Sequence, residues 1–562
     1  MRKIPALFLS AVLCFLLAGC GQQAAAPDQS HQLEDLPELP RKPGSETVLS
    51  TVEAPATVSV GEMFTSRDYN TGYSDYVTVL LADGASAADG EGVSISGSTV
   101  TVTKSGTYVF TGTLSDGQIV VDIGDTEKAQ IVLDNADVTC SGSAALLIRS
   151  GDKVFLTTAY QTENSFTSKG SFSDKSDEKV DGAIFARSDL TLNGGGSLTV
   201  TAQNGNGIVT KDDLKICSGT YSVTAGNHGL EGKNSVRISG GSLEITSKDD
   251  GIHSDNTKDG KGFVYICGGR ISVDSGDDGI HAASSLTVCG GELDVVRSVE
   301  GLEALTISIS GGAINIVSSD DGLNASASGG AETSMFGGFG VGRNDPFASD
   351  EGAGIFISGG KLTVNAEGDG IDSNGSLWVS GGEVYISGPT NGGDGALDYE
   401  TTGYITGGTV IAACAEGMAE NFDYNSTQGT ILYSLPSSEP AGTEVTVTDA
   451  EGAVLARYTP EKAYKVVVVS APGMAAGGKY TVTCGKASES IELSSTVYGS
   501  GGMMPGMGGG PGGFGGGQNG IPSGFGGGQN GGPGEAPGDR PEDPPGEMPG
   551  MGGGPGGFGG RK

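Results

Sequence analysis

Positive charge is scarce in this sequence of 562 residues, which has 32 Lys and Arg against 68 Asp and Glu and a formal net charge of −36. A surface of that sign repels nucleic acid and anionic lipid headgroups and attracts cations, so we expect no nucleic acid partner. The 3.6-residue spacing of amphipathic helices is absent, which excludes a mainly helical domain. Glycine is abundant at 101 residues, and this indicates low-complexity segments or very frequent turns.

Apolar runs that approach the length of a membrane span are confined to the N-terminus. Arg2 and Lys3 precede the apolar run 4–17, which continues into Leu-Ala-Gly-Cys ending at Cys20. A basic start and a short apolar run are typical of a secretory signal, and the last four residues resemble the lipobox of bacterial lipoproteins. That resemblance implies cleavage before Cys20, acylation of its thiol, and anchoring to the outer face of the cell membrane by lipid alone. A plain signal peptide with an accidental cysteine is the alternative.

Cysteines are too few and too widely spread for a disulfide framework. Of the eight, Cys14 leaves with the predicted signal and Cys20 is the predicted lipid site, so six remain in a long chain. Cys217, Cys267 and Cys289 share a turn position with serines in neighbouring repeats. A column of small side chains explains them better than a disulfide or a metal site does.

A turn made of a polar residue followed by glycine recurs between residues 180 and 420. The glycines of these turns lie mostly 21 to 28 residues apart, with one separation of 48. They are Gly182, Gly207, Gly229, Gly251, Gly279, Gly301, Gly322, Gly370, Gly395 and Gly417. A second motif, Ser or Cys followed by Gly-Gly and a short alternating strand, interleaves with the first. Repeats of this length indicate a solenoid.

Each repeat contains three short strands with period-2 alternation, and therefore one apolar face per strand. A single repeat cannot bury that face, whereas stacked repeats share a core and pair their backbone groups with the repeats above and below. We therefore predict an all-β fold, a right-handed parallel β-helix over residues 75–420. Its N-terminal coils or cap occupy 75–179, and its regular coils occupy 180–420.

The flanking segments have distinct compositions. Residues 1–20 are the predicted lipoprotein signal, and residues 21–50 are rich in Pro, Gln, Ala and Glu, as in a flexible tether. Residues 430–495 predict a β-rich C-terminal module that caps the exposed edge of the last coil. Residues 500–562 form a Gly/Pro/Met-rich tail that cannot bury a core and is predicted to be disordered.

The register of the turn strand predicts an acidic corner. The residue after each turn glycine is apolar and points inward, so the residue before the glycine and the second residue after it lie on the surface. Carboxylates stacked about 4.8 Å apart repel one another unless cations bridge them or their pKa values rise. Oxygen ligands suit calcium, the predicted cofactor. The predicted ligands are Asp249, Asp250, Asp277, Asp278, Asp320, Asp321, Asp369 and Asp372.

Aromatic residues predict a second surface. Phe356, Trp378 and Tyr404 occupy successive outward positions on the strand before Gly-Gly, and Trp378 is the only tryptophan. Stacked aromatic faces suit pyranose rings, and Tyr385 could widen the strip from the next strand. His253 and His281, on the acidic corner, complete the predicted carbohydrate-binding residues. The alternative is that the C-terminal module covers these aromatics.

The Asp-Gly-Ile turn, the Ser-Gly-Gly-x-Leu-x-Val half-coil and Asp116-Gly-Gln-Ile-Val-Val-Asp122 together resemble a clostridial family of exported carbohydrate-binding β-helix proteins. The resemblance covers roughly residues 75–495. It implies a fold like that of pectate lyases, bound calcium, and binding of cellulose or polygalacturonate without strong catalysis.

Three functions remain open. A cell-surface polysaccharide-binding lipoprotein is favoured. A pectate-type polysaccharide lyase would need a Lys or Arg base beside a cation-held acidic sugar, and none is evident among the acids, so an enzyme is the less favoured interpretation. A structural envelope or spore-surface stalk is the third.

Overall fold

The computed structural model describes residues 63–170, 172, 179–327, 350 and 352–499. The predicted signal, Cys20, the tether and the Gly-rich tail lie outside these residues. The described residues form 39 strands, of which 35 belong to one sheet and four to a second sheet. No helix among them is long and apolar enough to cross a membrane.

The strands fall into three groups along the chain. The N-terminal strands are Tyr76–Leu81, Ala87–Ala88, Val93–Ser96, Thr99–Val102, Gly106–Leu114, Gln118–Asp122, Lys128–Cys140, Leu146–Ser150, Lys153–Thr158 and Glu163–Ser168. The strands of the regular coils are Gly182–Ala186, Asp189–Gly194, Ser197–Ala202, Asn206–Thr210, Asp213–Ile216, Thr220–Ala225, Leu230–Gly232, Ser235–Ile238, Ser242–Thr246, Ile252–Ser254, Phe263–Asp274, Ile280–Arg297, Leu302–Ser318, Leu323–Ala325, Gly354–Ile357, Lys361–Ala366, Ile371–Ser373, Ser376–Val379, Glu383–Ser387, Asp398–Tyr399, Thr402–Ile405 and Thr409–Cys414. The C-terminal strands are Thr430–Glu439, Val445–Thr448, Val454–Tyr458, Tyr464–Ser470, Lys479–Cys484, Ala487–Glu492 and Val497–Tyr498.

Each regular coil contributes three strands, which we call the turn strand, the second strand and the third strand. In one coil these are Leu230–Gly232, Ser235–Ile238 and Ser242–Thr246, and each pairs in parallel with the equivalent segment of the next coil. About 11 turns stack in this way. The predicted all-β parallel β-helix is therefore confirmed.

The core is a continuous stack of apolar side chains along the axis. The residues that follow the turn glycines are fully buried, as the alternation predicts: Ile208, Leu230, Ile252, Ile280, Leu302, Leu323 and Ile371. Tight stacking explains the glycine of the turn, because a Cβ on Gly251 would lie 2.6 Å from the carbonyl oxygen of Gly279. The second glycine of Gly-Gly has another role: Gly269 has φ +95°, a conformation that side chains disfavour.

The two segments that flank the coils pack against the solenoid in different ways. After the last coil, Tyr464–Ser470 pairs antiparallel with both Thr409–Cys414 and Thr430–Glu439, and these strands extend the large sheet. The four remaining long strands of the C-terminal region form the separate sheet, Val445–Thr448, Val454–Tyr458, Lys479–Cys484 and Ala487–Glu492. At the other end, residues 63–70 precede the first strand and pack on the side of the solenoid rather than on its axis.

Candidate functional site

The acidic corner consists of two neighbouring columns on the turn strands. The first column is the residue before each turn glycine: His228, Asp250, Asp278, Glu300, Asp321 and Asp369. The second is the outward residue of each turn strand, and strand register aligns Glu231, His253, His281, Glu303, Asn324, Asp372 and Asp398. Because one turn chemistry repeats in every coil, residues far apart in sequence become stacked neighbours.

A cavity of about 360 Å³ opens on this corner. It is lined by His228, Asp249, Asp250, His253, Asp277, Asp278, His281, Val299, Glu300, Glu303 and Asp320. Five predicted metal-binding aspartates and both predicted histidines meet here. No Lys or Arg is among the described residues that line it.

Three imidazole rings form a stack along the cavity. The centroids of His228 and His253 are 4.1 Å apart with an interplanar angle of 13°, and those of His253 and His281 are 5.1 Å apart at 16°. Asp250 lies beside the stack, with its carboxylate 2.5 Å from Nδ1 of His253 and 3.3 Å from Nδ1 of His228. Burial raises the pKa of Asp250, but the hydrogen bond from His253 and the charges of the three histidines outweigh it and hold that pKa below its ordinary value.

The next coil holds a histidine between two acids. Burial lowers the pKa of His281, but hydrogen bonds with Asp278 and Glu303 and the charges of Glu303 and Asp250 raise it to about 10. Burial and the hydrogen bond with Glu303 raise the pKa of Asp278 to about 8. The hydrogen bond from His281 acts in the opposite direction but is weaker than their sum. Burial also opposes ionisation of Glu303, yet its hydrogen bonds with His281 and Asp278 keep its pKa below the ordinary value. At neutral pH the trio thus holds a charged His281, a charged Glu303 and a protonated Asp278.

Further along, the corner contains carboxylates without imidazoles. Burial, then repulsion from Asp369, Asp372 and Asp320, raises the pKa of Asp321 to about 9. Burial and neighbouring carboxylates likewise raise the pKa of Asp369 to about 8 and that of Asp372 to about 7. Asp321 and Asp369 accept hydrogen bonds from backbone N–H groups of the next coil, at 2.7 and 2.5 Å.

The donor atoms of the corner fit a hard cation at one place. Single oxygens of Asp249, Asp250 and Asp277 lie within 4.8 Å of one another, about twice a Ca²⁺–oxygen bond. Further along the corner, Oδ1 of Asn324 is buried without a hydrogen-bond partner among the described residues, while its Nδ2 donates to Glu300 at 2.8 Å.

His228, Asp250 and His253 also bring donor atoms together, as do Asp278, His281 and Glu303. The two rings of the first group are nearly parallel and stacked. A metal ion binds an imidazole in the plane of its ring, so these two rings cannot share one ion without rotating. The stacked geometry of this first group therefore does not suit one transition-metal ion held by both imidazoles.

The predicted aromatic strip lies on the second strands. Phe356 pairs with Trp378 and Trp378 with Tyr404 in strand register. The side chain of Trp378 is exposed at 36%, and its Nε1 donates to Oγ1 of Thr406 at 3.5 Å. Tyr385 has a different environment, because its ring stacks on Tyr458 of the C-terminal sheet with centroids 5.1 Å apart. The C-terminal sheet therefore packs beside Tyr385 on the third strand and leaves Trp378 exposed among the described residues.

The predicted metal and carbohydrate ligands leave out His228, Glu300 and Glu303, which also line the cavity. Register alone places them there, because His228 and Glu300 occupy turn positions equivalent to Asp250 and Glu303 occupies the position equivalent to His281. The docking of residues 63–70 has no repeat signal, and only the structure places Asp68 on the solenoid wall.

Comparisons with known proteins agree with this architecture. Residues 96–338 match a family model described as "Carbohydrate-binding domain-containing protein". A protein of that description from Acetivibrio thermocellus is 40% identical over 158 residues, which are 28% of this chain and 55% of that protein. The chain thus spans about half the length of this curated relative.

A solved structure, the polysaccharide lyase-like protein from C. thermocellum as a gadolinium derivative, is 37% identical in sequence. The match covers 42% of this chain and 93% of that protein, with a TM-score of 0.38. The family match, the curated relative of the same description and the β-solenoid together fit a family of carbohydrate-binding β-helix proteins.

Proposed function

We propose that this protein is a cell-surface lipoprotein that binds plant-type polysaccharide, cellulose or an acidic pectin-like glycan, through a calcium-bearing β-helix. The match to a carbohydrate-binding family model carries the proposal, and the aromatic strip, in which Trp378 is exposed while Phe356 and Tyr404 are half-buried, supports it. Flat aromatic side chains in register offer large apolar contact at low entropic cost, which suits the C–H faces of pyranose rings. The acidic corner supplies the second surface, where a bound cation could hold an acidic sugar.

Calcium is the proposed cofactor because the corner concentrates negative charge that the protein compensates only in part. Asp249, Asp250 and Asp277 offer a compact set of oxygens, and Asn324 offers an unused amide oxygen further along. Calcium accepts carboxylate, amide and backbone carbonyl oxygens in flexible geometry.

Lyase chemistry has less support. Lys211 contacts the second column through Glu231, which is aligned with His253, and its Nζ lies 3.0 Å from both Asp181 and Glu231. Burial lowers the pKa of Lys211, but the charges of those two acids more than compensate and raise it. A lysine that removes a proton in a lyase needs the opposite shift.

Trp378 provides the test of polysaccharide binding. Its emission should be red-shifted and quenched by iodide in the free protein, and should shift when cellulose oligomers or polygalacturonate are added. Trp378→Ala should weaken retention on the bound polysaccharide about tenfold, equivalent to about 1.4 kcal/mol. Tyr160→Ala, which removes an aromatic exposed at 77% elsewhere on the solenoid, is the matched control.

If the wild-type protein is retained on none of a panel of purified polysaccharides, the binding function is rejected. A structural stalk is then the remaining interpretation. New unsaturated sugar ends in the eluate would indicate a lyase instead. Lipid anchoring is tested separately, by mass spectrometry of the mature N-terminus for an acylated Cys20; an unmodified form released to the medium would reject it.

A further inference from the structure

One outward column runs along the second strands from a basic end to the aromatic strip. Strand register aligns its members in the order Thr191, Lys215, Arg237, Tyr265, Thr287, Ser308, Phe356, Trp378 and Tyr404. At about 4.8 Å per coil, the distance from Lys215 to Tyr404 is roughly 34 Å. The aromatic end is partly exposed, whereas Thr191, Lys215 and Tyr265 are buried.

The cover over the basic end is residues 63–70, which we call the clasp. Phe64 packs near Tyr265, with ring centroids 6.5 Å apart, and Arg237 donates to the carbonyl oxygen of Met63 at 3.2 Å. The clasp belongs to none of the 39 strands. Its backbone hydrogen bonds are local, from Asp68 to Thr65 and from Asn70 to Arg67. The clasp is therefore held by side-chain contacts and adds no strand to the sheet.

Asp68 is the centre of these contacts. It is fully buried, with Oδ1 2.6 Å from Nζ of Lys153 and Oδ2 3.4 Å from Nζ of Lys215. The hydroxyl of Thr191 donates to Oδ1 at 3.0 Å, and Thr65 donates to Oδ2 through both its backbone N–H and its hydroxyl. Asn193 fixes the backbone by donating to the carbonyl oxygen of Asp68 at 2.9 Å.

The solenoid wall thus forms a carboxylate-binding site. Two lysines and one hydroxyl converge from three successive coils on a single carboxylate. Burial, then repulsion from Lys153, lowers the pKa of Lys215, and the charge of Asp68 opposes that shift. A charged buried group needs a partner, but the partner need not come from the clasp.

We propose that Lys153, Lys215 and Thr191 form a binding subsite for the carboxylate of an acidic sugar, which Asp68 of the clasp occupies in cis. Displacement of the clasp would uncover the basic end of the column and extend the aromatic strip into a groove suited to a uronate-containing chain. The clasp then limits binding of acidic glycans without affecting neutral ones. This inference rests on the proposed polysaccharide binding.

The test uses the full mature chain carrying Asp68→Ala, with polygalacturonate and a neutral cellulose oligomer as probes. Asp68→Ala should bind polygalacturonate at least tenfold more tightly than wild type, the gain should shrink with added salt, and binding of the neutral oligomer should not change. Adding Lys215→Met to Asp68→Ala should cancel the gain. Asp152→Ala, which removes an exposed carboxylate paired with Lys128, is the matched control.

Thermal unfolding of Asp68→Ala provides a readout that does not depend on polymer binding. D-galacturonate should raise its Tm and D-galactose should not, because only the acid restores a carboxylate between the lysines. If Asp68→Ala fails to fold, Asp68→Asn, which keeps the volume and loses the charge, should still show a gain for polygalacturonate of about threefold.

The outcomes separate the two proposals. If the wild type binds polysaccharide, neither Asp68 variant alters that binding, and galacturonate has no effect on Tm, the subsite proposal is overturned. The clasp then has only a structural role. A galacturonate-dependent rise in Tm without polysaccharide binding by any variant would instead reject the proposed function and retain the carboxylate site.

Discussion

The early and late halves of the acidic corner have the same turn-strand backbone and the same spacing between coils, and their carboxylates are similarly buried. They differ in the basic side chains that lie beside those carboxylates. The early half, residues 228–303, contains three histidines among its acids. The late half, Asp321, Asn324, Asp369, Asp372 and Asp398, contains no basic residue at its corner positions. In the early half Asp250 and Glu303 have lowered pKa values, whereas the pKa values of Asp321, Asp369 and Asp372 are about 9, 8 and 7.

Stacking alone therefore does not decide the charge of such a corner. Burial raises the pKa of every one of these carboxylates. The hydrogen bond from an imidazole outweighs burial at Asp250 and Glu303, but not at Asp278, where contact with Glu303 adds to the effect of burial. Where no imidazole donates, the acid keeps its proton at neutral pH or requires a metal ion. The late half is therefore the part of the corner whose stability should depend most on solution conditions.

The largest expected effect is the pH dependence of the metal-free protein. Asp321, Asp369 and Asp372 retain protons in the folded state up to pH 7–9 but lose them near pH 3.8 when unfolded. Their contribution to stability is complete below pH 4 and is lost as the pH rises toward 9. Each such group lowers the free energy of unfolding by about 1.4 kcal/mol per pH unit within its window. Urea unfolding of dialysed protein at pH 5, 7 and 9 measures the slope.

Asp321→Asn should reduce this slope by the contribution of one group. Asp116→Asn is the control, because the hydrogen bonds from Ser141 lower the pKa of Asp116 and its removal should leave the slope above pH 5 unchanged. A free energy of unfolding that stays flat from pH 5 to pH 9 would contradict the picture of an uncompensated late half.

Calcium should have the next largest effect. An ion that binds only the folded state at 100 times its Kd adds about 2.7 kcal/mol to the free energy of unfolding. Differential scanning calorimetry with calcium and then with a chelator measures it. Magnesium, which is smaller and geometrically stricter, is the control ion.

Asp277→Asn should weaken calcium binding, because it removes one oxygen charge from the compact group formed with Asp249 and Asp250. A Tm that responds to neither calcium nor chelator at pH 8 would reject calcium as the cofactor and leave protonation as the means of neutralisation.

The fold was predictable because its determinants are local and repeated. The Asp-Gly turn fixes the inward position of residues such as Ile252, and the following alternation fixes His253 as outward. The aromatic register of Phe356, Trp378 and Tyr404 followed from the same counting. An error of one residue in the assumed register would have moved each side chain to the opposite face of its strand. The agreement therefore depends on the regularity of the repeat.

Features that depend on one contact between distant segments were not predictable. Asp68 meets Lys153 and Lys215 across 85 and 147 residues, and nothing in the composition of 63–70 signals that contact. Tyr385 appeared available for the aromatic strip, but Tyr458, 73 positions later, covers one face of its ring. Counting within a repeat gives the direction of a side chain and not what packs on it.

The smallest expected effect comes from adding an imidazole at a late corner position and removing one from the early half. Asn324 occupies the second-column position next to Glu303, two coils from His281, and its Nδ2 already contacts Glu300. Asn324→His should therefore lower the pKa of Glu300, which burial and repulsion from Asp278 and Glu303 now raise to about 8. The metal-free protein should gain about 1 kcal/mol in free energy of unfolding at pH 7, the difference between a neutral hydrogen bond and one with a charged partner. The reciprocal His281→Gln should cost about 2 kcal/mol, since it removes a charged partner from Glu303. Paired unfolding curves in urea measure both changes. If His281→Gln stabilises the protein, or Asn324→His destabilises it at pH 7, imidazoles do not set the difference in carboxylate pKa between the two halves.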